Sequence, residues 1–191
     1  QGILFIIDGA KGIRKAIEQK FGSYAMVQRC RWHKRENVVS YLNEADQTTY
    51  RRRMQEAYNK TTHREAVAAL KQILRDIEKI NQSAANSLLE GIDETLTIHE
   101  LGLSVELARS LSTTNCIEGF MSQIGAYTDK VDRWRNSSQI QRWTAASALD
   151  IEPRLRKIKG FRYLPVLRFK LQEIVAKRTG ISAASETLAA R

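Results

Sequence analysis

Five apolar residues in a row, Ile3-Leu4-Phe5-Ile6-Ile7, end on Asp8 and Gly9. A run of that length closed by a glycine turn predicts a strand buried on both faces, because a half-solvated strand alternates polar and apolar positions instead. An amphipathic helix over about 11–21 follows, with Ile13, Ile17 and Phe21 on one face, and then a short strand over about 24–28. Two strands joined by a crossover helix make a parallel βαβ unit. In open α/β sheets ligands gather outside the carboxyl ends of the strands. Asp8 therefore stands where an acid can take a metal or a proton, although capping the next helix is an equally good use of it.

From about residue 34 the period becomes helical. Asn37 to Leu42 predicts a short helix, and Asp46 caps a longer one to about Tyr58 through Arg51-Arg52-Arg53. Thr62 with Glu65 is a capping box for a helix to Ile80, with Ala66, Leu70, Ile73, Leu74 and Ile77 on one face. Another helix is expected from about Ser83 to Thr95, then one from Cys116 to Tyr127, and one over 137–149 capped by Ser137 or Ser138. Pro153 and Pro165 mark the starts of the last helices. The fold class is α/β, predominantly helical. Residues 1–35 form the βαβ part, 36–107 an all-helical insertion, 108–178 the C-terminal helices of the core, and 179–191 a fraying tail.

Charge narrows the partner. Residues 11–36 hold eight Lys/Arg against two acids, 37–118 nine against twelve, and 119–191 fourteen against six, within a net charge of +10. Two basic segments flanking an acidic middle are the footprint of a polyanion, most often nucleic acid, with a solvated basic surface as the plain alternative. No apolar run reaches the ~18 residues of a membrane span, which argues against a membrane partner. Two cysteines, Cys30 and Cys116, are too few for a disulfide framework and point to a reducing cytoplasm. Because the chain opens on Gln1 at a core strand, it is expected to be part of a longer protein.

Glu118 is the candidate partner of Asp8. It lies one turn into a helix that opens on Thr113, Thr114 and Asn115, although a first-turn acid also complements the helix dipole. Carboxylates from a strand end and a following helix can share one divalent cation or a pair, and Mg²⁺ suits oxygen ligands. Cys30-Arg31-Trp32-His33 is half of a zinc site, but Cys116, His63 and His99 show no matching spacing, so a four-ligand zinc site is not expected. Lys130, Arg133, Trp134 and Arg135 place an aromatic among cations, a pattern suited to phosphates and to stacking on a base. A Trp packed into the core is as good a reading of Trp134.

Four elements in order resemble the catalytic core of the Mutator-type insertion-sequence transposases. They are Ile-Ile-Asp-Gly at Asp8, Cys-x-x-His at Cys30 and His33, Thr-Thr-Asn-x-Ile-Glu ending on Glu118, and Arg-Trp at Arg133–Trp134; Gln141-Arg142-Trp143 also fits. The resemblance implies a partial RNase H-like core interrupted by the all-α insertion. It implies a DDE site in which Asp8 is the second acid and Glu118 the third, with the first upstream of Gln1. It also implies Mg²⁺ (or Mn²⁺) as cofactor and metal-dependent strand cleavage and strand transfer during cut-and-paste transposition. The partners it implies are transposon ends and target DNA, met by a homo-oligomer in the bacterial cytoplasm, at the nucleoid. Arg14, Lys15, Arg29, Arg31, Lys130, Arg133, Trp134 and Arg135 are the expected DNA contacts. Cys30, His33, Thr113, Thr114 and Asn115 are expected to shape the site without metal. A non-catalytic DNA-binding remnant and a helical adaptor are the alternatives.

Overall fold

The computed structural model describes residues 2–180. Two parallel strands, β1 (Ile3–Ile7) and β2 (Ala25–Arg29), are joined by α1 (Lys11–Phe21), in the register Ile3 with Ala25 through Ile7 with Arg29. The βαβ unit is present as expected. Around it the chain is mostly helical. The segment after β2 contributes α2 (Arg31–Val39), α3 (Glu44–Tyr58), α4 (His63–Glu78), α5 (Gln82–Leu89) and the single turn α6 (Thr97–Glu100). Next come α7 (Val105–Leu111), α8 (Asn115–Thr128), α9 (Ser137–Ile151) and α10 (Leu164–Thr179). The expected tail lies, from residue 181, outside the described residues, while Thr179 itself ends α10.

β1 corrects one expectation. Ile3 is exposed, Leu4, Phe5 and Ile6 are half-buried, and only Ile7 is buried. Among the described residues it pairs with β2 alone, so one edge and part of its faces stay open. The more polar strand, Ala25-Met26-Val27-Gln28-Arg29, is the buried one. Small apolar contacts hold the unit together: Ile7, Ile17 and Val27, with Phe5, Phe21 and Ala25 packed around them.

The main apolar core is formed by the helices that follow β2. Val38, Met54, Leu70, Ile77 and Leu88 from α2 to α5 meet there. The helix α4 forms for local reasons: Thr62 and Glu65 make the reciprocal capping box, and Ala66, Leu70, Ile73 and Ile77 recur along one buried stripe. α2 starts at Arg31, six residues earlier than the apolar pattern suggests, and its buried residues include Lys34. α9 is capped by Asn136, whose side chain accepts from Gln139 N, rather than by Ser137 or Ser138.

The described chain divides into two compact units, 2–113 with 159–180, and 114–158. Asp8 belongs to the first and Glu118 to the second. Among the described residues no helix is long and apolar enough to cross a membrane.

The two kinds of support for α4 should separate in a denaturation experiment. Thr62→Ala is expected to lower unfolding free energy by about 1 kcal/mol through loss of the cap. Leu70→Ala, which empties part of the core, should cost about 2–5 kcal/mol.

Candidate active site

Asp8 follows β1 directly and is exposed. Its Oδ1 accepts a hydrogen bond from Ala10 N at 2.9 Å, which shapes the turn into α1. Among the described residues Oδ2 has no hydrogen-bond partner. The flanking residues Ile7 and Gly9 line a cleft of about 420 Å³ together with charged side chains of α1 and of the 90–94 segment.

The floor beside Asp8 is cationic. Arg29 ends β2 buried, and its guanidinium lies between two glycines. A Cβ at residue 9 would stand 2.3 Å from Arg29 Nε, and one at residue 91 would stand 2.7 Å from Nη1. Both glycines have positive φ, +107° and +65°, so neither position readily accepts another residue. Lys34, also buried, donates to the carbonyls of Ser87 and Glu90. Burial pushes its ammonium down to about 8, and neighbouring Arg29 pushes the same way against Glu90 and Glu94.

Cys30 N donates to Ile7 O at 2.7 Å, which ties the end of β2 to the residue before Asp8. The buried Cys30 Sγ lies 3.2 Å from His33 Nδ1, and Trp32 stands edge-on to the His33 ring at 4.8 Å. The Cys-x-x-His step is thus one closed turn at the strand end. Among the described residues no three His, Cys, Asp or Glu side chains stand together as metal ligands do.

Arg31 turns inward. Its Nε donates to Thr95 O, its Nη2 to His99 Nδ1 at 2.9 Å, and its charge lies over the Tyr58 ring. Burial pushes it down to about 10. That internal network removes Arg31 from the side chains available to DNA phosphates. Arg14 is also engaged, with Glu94 at 2.5 Å and Glu18 at 3.3 Å, whereas Lys15 is exposed. The Arg51-Arg52-Arg53 run is paired as well, with Glu36, Glu56 and Asp76 in turn.

In the second unit, Glu118 is an exposed first-turn residue of α8. Buried Thr114 donates from Oγ1 to Glu118 Oε1, and Glu118 N donates back to Thr114 O at 3.0 Å. Thr113 is half-buried and Asn115 exposed. Trp134 is half-buried and meets Trp143 edge-to-face at 6.4 Å, with Lys130, Arg133 and Arg135 exposed around it.

Sequence reasoning missed Lys34 and Glu90, and weighed His99 only as a zinc ligand. Lys34 and Glu90 carry no motif. His99 accepts from Arg31 at Nδ1 and donates from Nε2 to Lys60 O, so the neutral Nε2–H tautomer fits both partners. Burial and Arg31, with His63 adding to it, lower its affinity for a proton.

The unfolded chain therefore binds a proton at His99 more readily than the folded one. Stability is expected to hold above about pH 6.5 and to fall as the pH drops below it. In His99→Asn that acid limb should flatten. An unchanged limb, followed by urea denaturation at several pH values, would remove His99 as its source.

A family model described as "Transposase, Mutator family" matches residues 1–154. No curated protein matches the chain.

Proposed function

The chain belongs to the Mutator family of transposases, and we propose that it cleaves and joins DNA strands at a DDE site to which Asp8 and Glu118 contribute. The observation that carries this reading is the placement of Asp8 at the carboxyl end of β1 in a parallel βαβ unit. One of its oxygens fixes the turn, and among the described residues the other has no hydrogen-bond partner. The parallel pair with its crossover helix supports an RNase H-like core, interrupted by the helical insertion.

The donor chemistry suits a hard divalent cation, Mg²⁺ or Mn²⁺. Asp8 and Glu118 are exposed carboxylates, and each has an oxygen oriented by a short-range hydrogen bond. Such a cation, when bound, polarises a phosphodiester and lowers the pKa of an attacking water. The protein's own groups then have separate tasks. The Ala10 amide and the Thr114 hydroxyl orient the two acids. Cys30 and His33 fix the strand end through the Cys30 amide bond to Ile7. Lys15, Lys130, Arg133 and Arg135 neutralise backbone phosphates, and Arg14 joins them where DNA displaces its acids. Trp134, steadied by Trp143, stacks on a base unpaired near the cut. A first hydrolysis frees a 3′-hydroxyl, which attacks target DNA in a transesterification. Two transposon ends call for at least two copies of the chain, acting in the bacterial cytoplasm on nucleoid DNA.

In the intact transposase, Asp8→Asn and Glu118→Gln are each expected to abolish strand cleavage in Mg²⁺ while DNA affinity stays at the wild-type level. Cleavage by either variant near the wild-type rate would defeat the assignment. Trp134→Ala should weaken binding to DNA with an unpaired end by about 1–3 kcal/mol. Its affinity for fully paired duplex should not change, and equal losses on both would return Trp134 to a packing role.

A further inference from the structure

We propose that Arg29 is a positioning residue for Asp8. Its guanidinium, lodged between Gly9 and Gly91, carries the placement of the segment after α5 to the turn that presents the acid. The reaction assigned to Asp8 rests on the reading of the chain as a transposase; the hold of Arg29 on the turn does not.

Asp8 is exposed, and its Oδ1 accepts from Ala10 N within the same turn. A bond so short in sequence orients the carboxylate on its own backbone without placing that backbone in the protein. The second task falls to the residues on either side. Cys30 N donates to Ile7 O at 2.7 Å and so holds the residue before Asp8. The residue after it meets Arg29, because a Cβ at Gly9 would overlap Arg29 Nε, Cζ and Nη2. Two consecutive residues at the end of β2 thus bracket Asp8. Strand register puts them there, since Arg29 pairs with Ile7.

Arg29 is itself held from the far side. Nη1 donates to Glu90 O at 3.0 Å, and a Cβ at Gly91 would stand 2.7 Å from the same atom. Lys34 of α2, 1% exposed, donates to that same Glu90 carbonyl and to Ser87 O. The backbone at Glu90 is therefore tied to α2 as well as to Arg29. Contacts run unbroken from α2 through residues 90 and 91 and Arg29 to Gly9.

Hydrogen bonding alone does not account for an arginine at this position. The side chain is 9% exposed, and among the described residues its buried Nε has no partner. Nη2 has the Glu90 carboxylate at 3.6 Å, close enough for attraction but not for a hydrogen bond. An unmade bond inside a protein is costly. What the site uses is shape. A flat, rigid guanidinium fits between two backbones that carry no side chains, and a lysine would supply the charge without the width. Both glycines have positive φ, +107° and +65°, so both turns depend on a residue without Cβ where they meet it. A functional acid must be held to within about 0.5 Å, and packing against a rigid neighbour achieves that for an exposed turn.

The test uses the intact protein and two readouts. The first, without metal or DNA, is hydrogen exchange at the Ala10 amide, with the Leu70 amide of α4 as the measure of global opening. The second is the Mg²⁺ concentration that gives half-maximal DNA cleavage. Arg29→Lys and Gly91→Ala are each expected to speed exchange at Ala10 severalfold relative to Leu70. Each should raise the half-maximal Mg²⁺ concentration about tenfold, as loss of a group that orients a metal ligand does. Arg52→Lys, a like change on the exposed face of α3, should move neither readout. Because Arg29→Ala empties the space beside Gly91, adding Gly91→Ala to it should change nothing further. If the Arg29 variants do not fold, Gly91→Ala decides, since residue 91 reaches Asp8 only through Arg29. Exchange that rises equally at Ala10 and Leu70 makes Arg29 a stability residue and overturns the proposal. Faster exchange at Ala10 with an unchanged Mg²⁺ requirement overturns it too. A protein that cuts DNA with neither readout moved loses this role of Arg29 and keeps its chemistry. One in which Ala10 responds but no DNA is cut keeps the hold on the turn and loses the chemistry.

Discussion

Everything near the candidate site depends on the burial of a polar strand end. Gln28 is fully buried on β2, and its amide is satisfied from the insertion: Nε2 donates to Thr95 O at 3.0 Å, and Ile98 N donates to Oε1 at 3.0 Å. Thr97 Oγ1 donates to Val27 O at 2.6 Å, and Arg31 Nε to Thr95 O at 3.0 Å. Each buried polar group left unpaired would cost about 1–3 kcal/mol. Residues 27–31 are therefore pinned to 95–99, a segment some seventy positions away in sequence. Because Cys30 N bonds to Ile7 O, the pinning reaches the turn that carries Asp8. The helical 95–99 segment thus clamps the end of β2, which is bonded to the end of β1 before Asp8.

That arrangement explains which parts could be read from the sequence. The capping box at Thr62 and Glu65 and the stripe from Ala66 to Ile77 are local signals, and local energetics settle them. The crossover order of strand, helix and strand is equally local. The burial of β2 is not, since nothing within Met26-Val27-Gln28-Arg29 announces that Thr95 and Ile98 will meet the glutamine. β1 fails in the opposite sense. Its apolar run promises burial on both faces, but burial depends on neighbours, and among the described residues β2 is the one strand beside it. The start of α2 was hidden for a third reason. Arg31-Trp32-His33-Lys34-Arg35 has no apolar period, and Lys34 is buried by virtue of two carbonyls at the end of α5.

Net charge suggests a class of partner but says little about individual side chains. Arg31 and Arg14 look alike in a list of basic residues near Asp8, yet one is enclosed by His99, Thr95 and Tyr58 and the other is matched by Glu94 and Glu18. The three consecutive arginines of α3 each have an acid. Lys15, Lys130, Arg133 and Arg135 remain exposed. A formal charge of +10 therefore does not say which cations are ready for phosphate. What matters is whether the fold has already used the charge, and that depends on tertiary partners invisible in a window of sequence.

Shaping the turn and binding a ligand looked like competing uses of Asp8, and its geometry leaves room for both. A carboxylate has two oxygens and several lone pairs. Asp8 Oδ1 accepts from the Ala10 amide, which orients the carboxylate, and among the described residues Oδ2 has no hydrogen-bond partner. Glu118 follows the same logic: its helix-start position favours a negative charge, and Thr114 holds one of its oxygens. A side chain locked by a short local bond has less rotamer freedom left to lose when it takes a ligand, so such a bond would lower the cost of a site at either acid. The sequence pattern that suits a helix start is then also the pattern that prepares an acid to bind, and a choice between the two readings is not required.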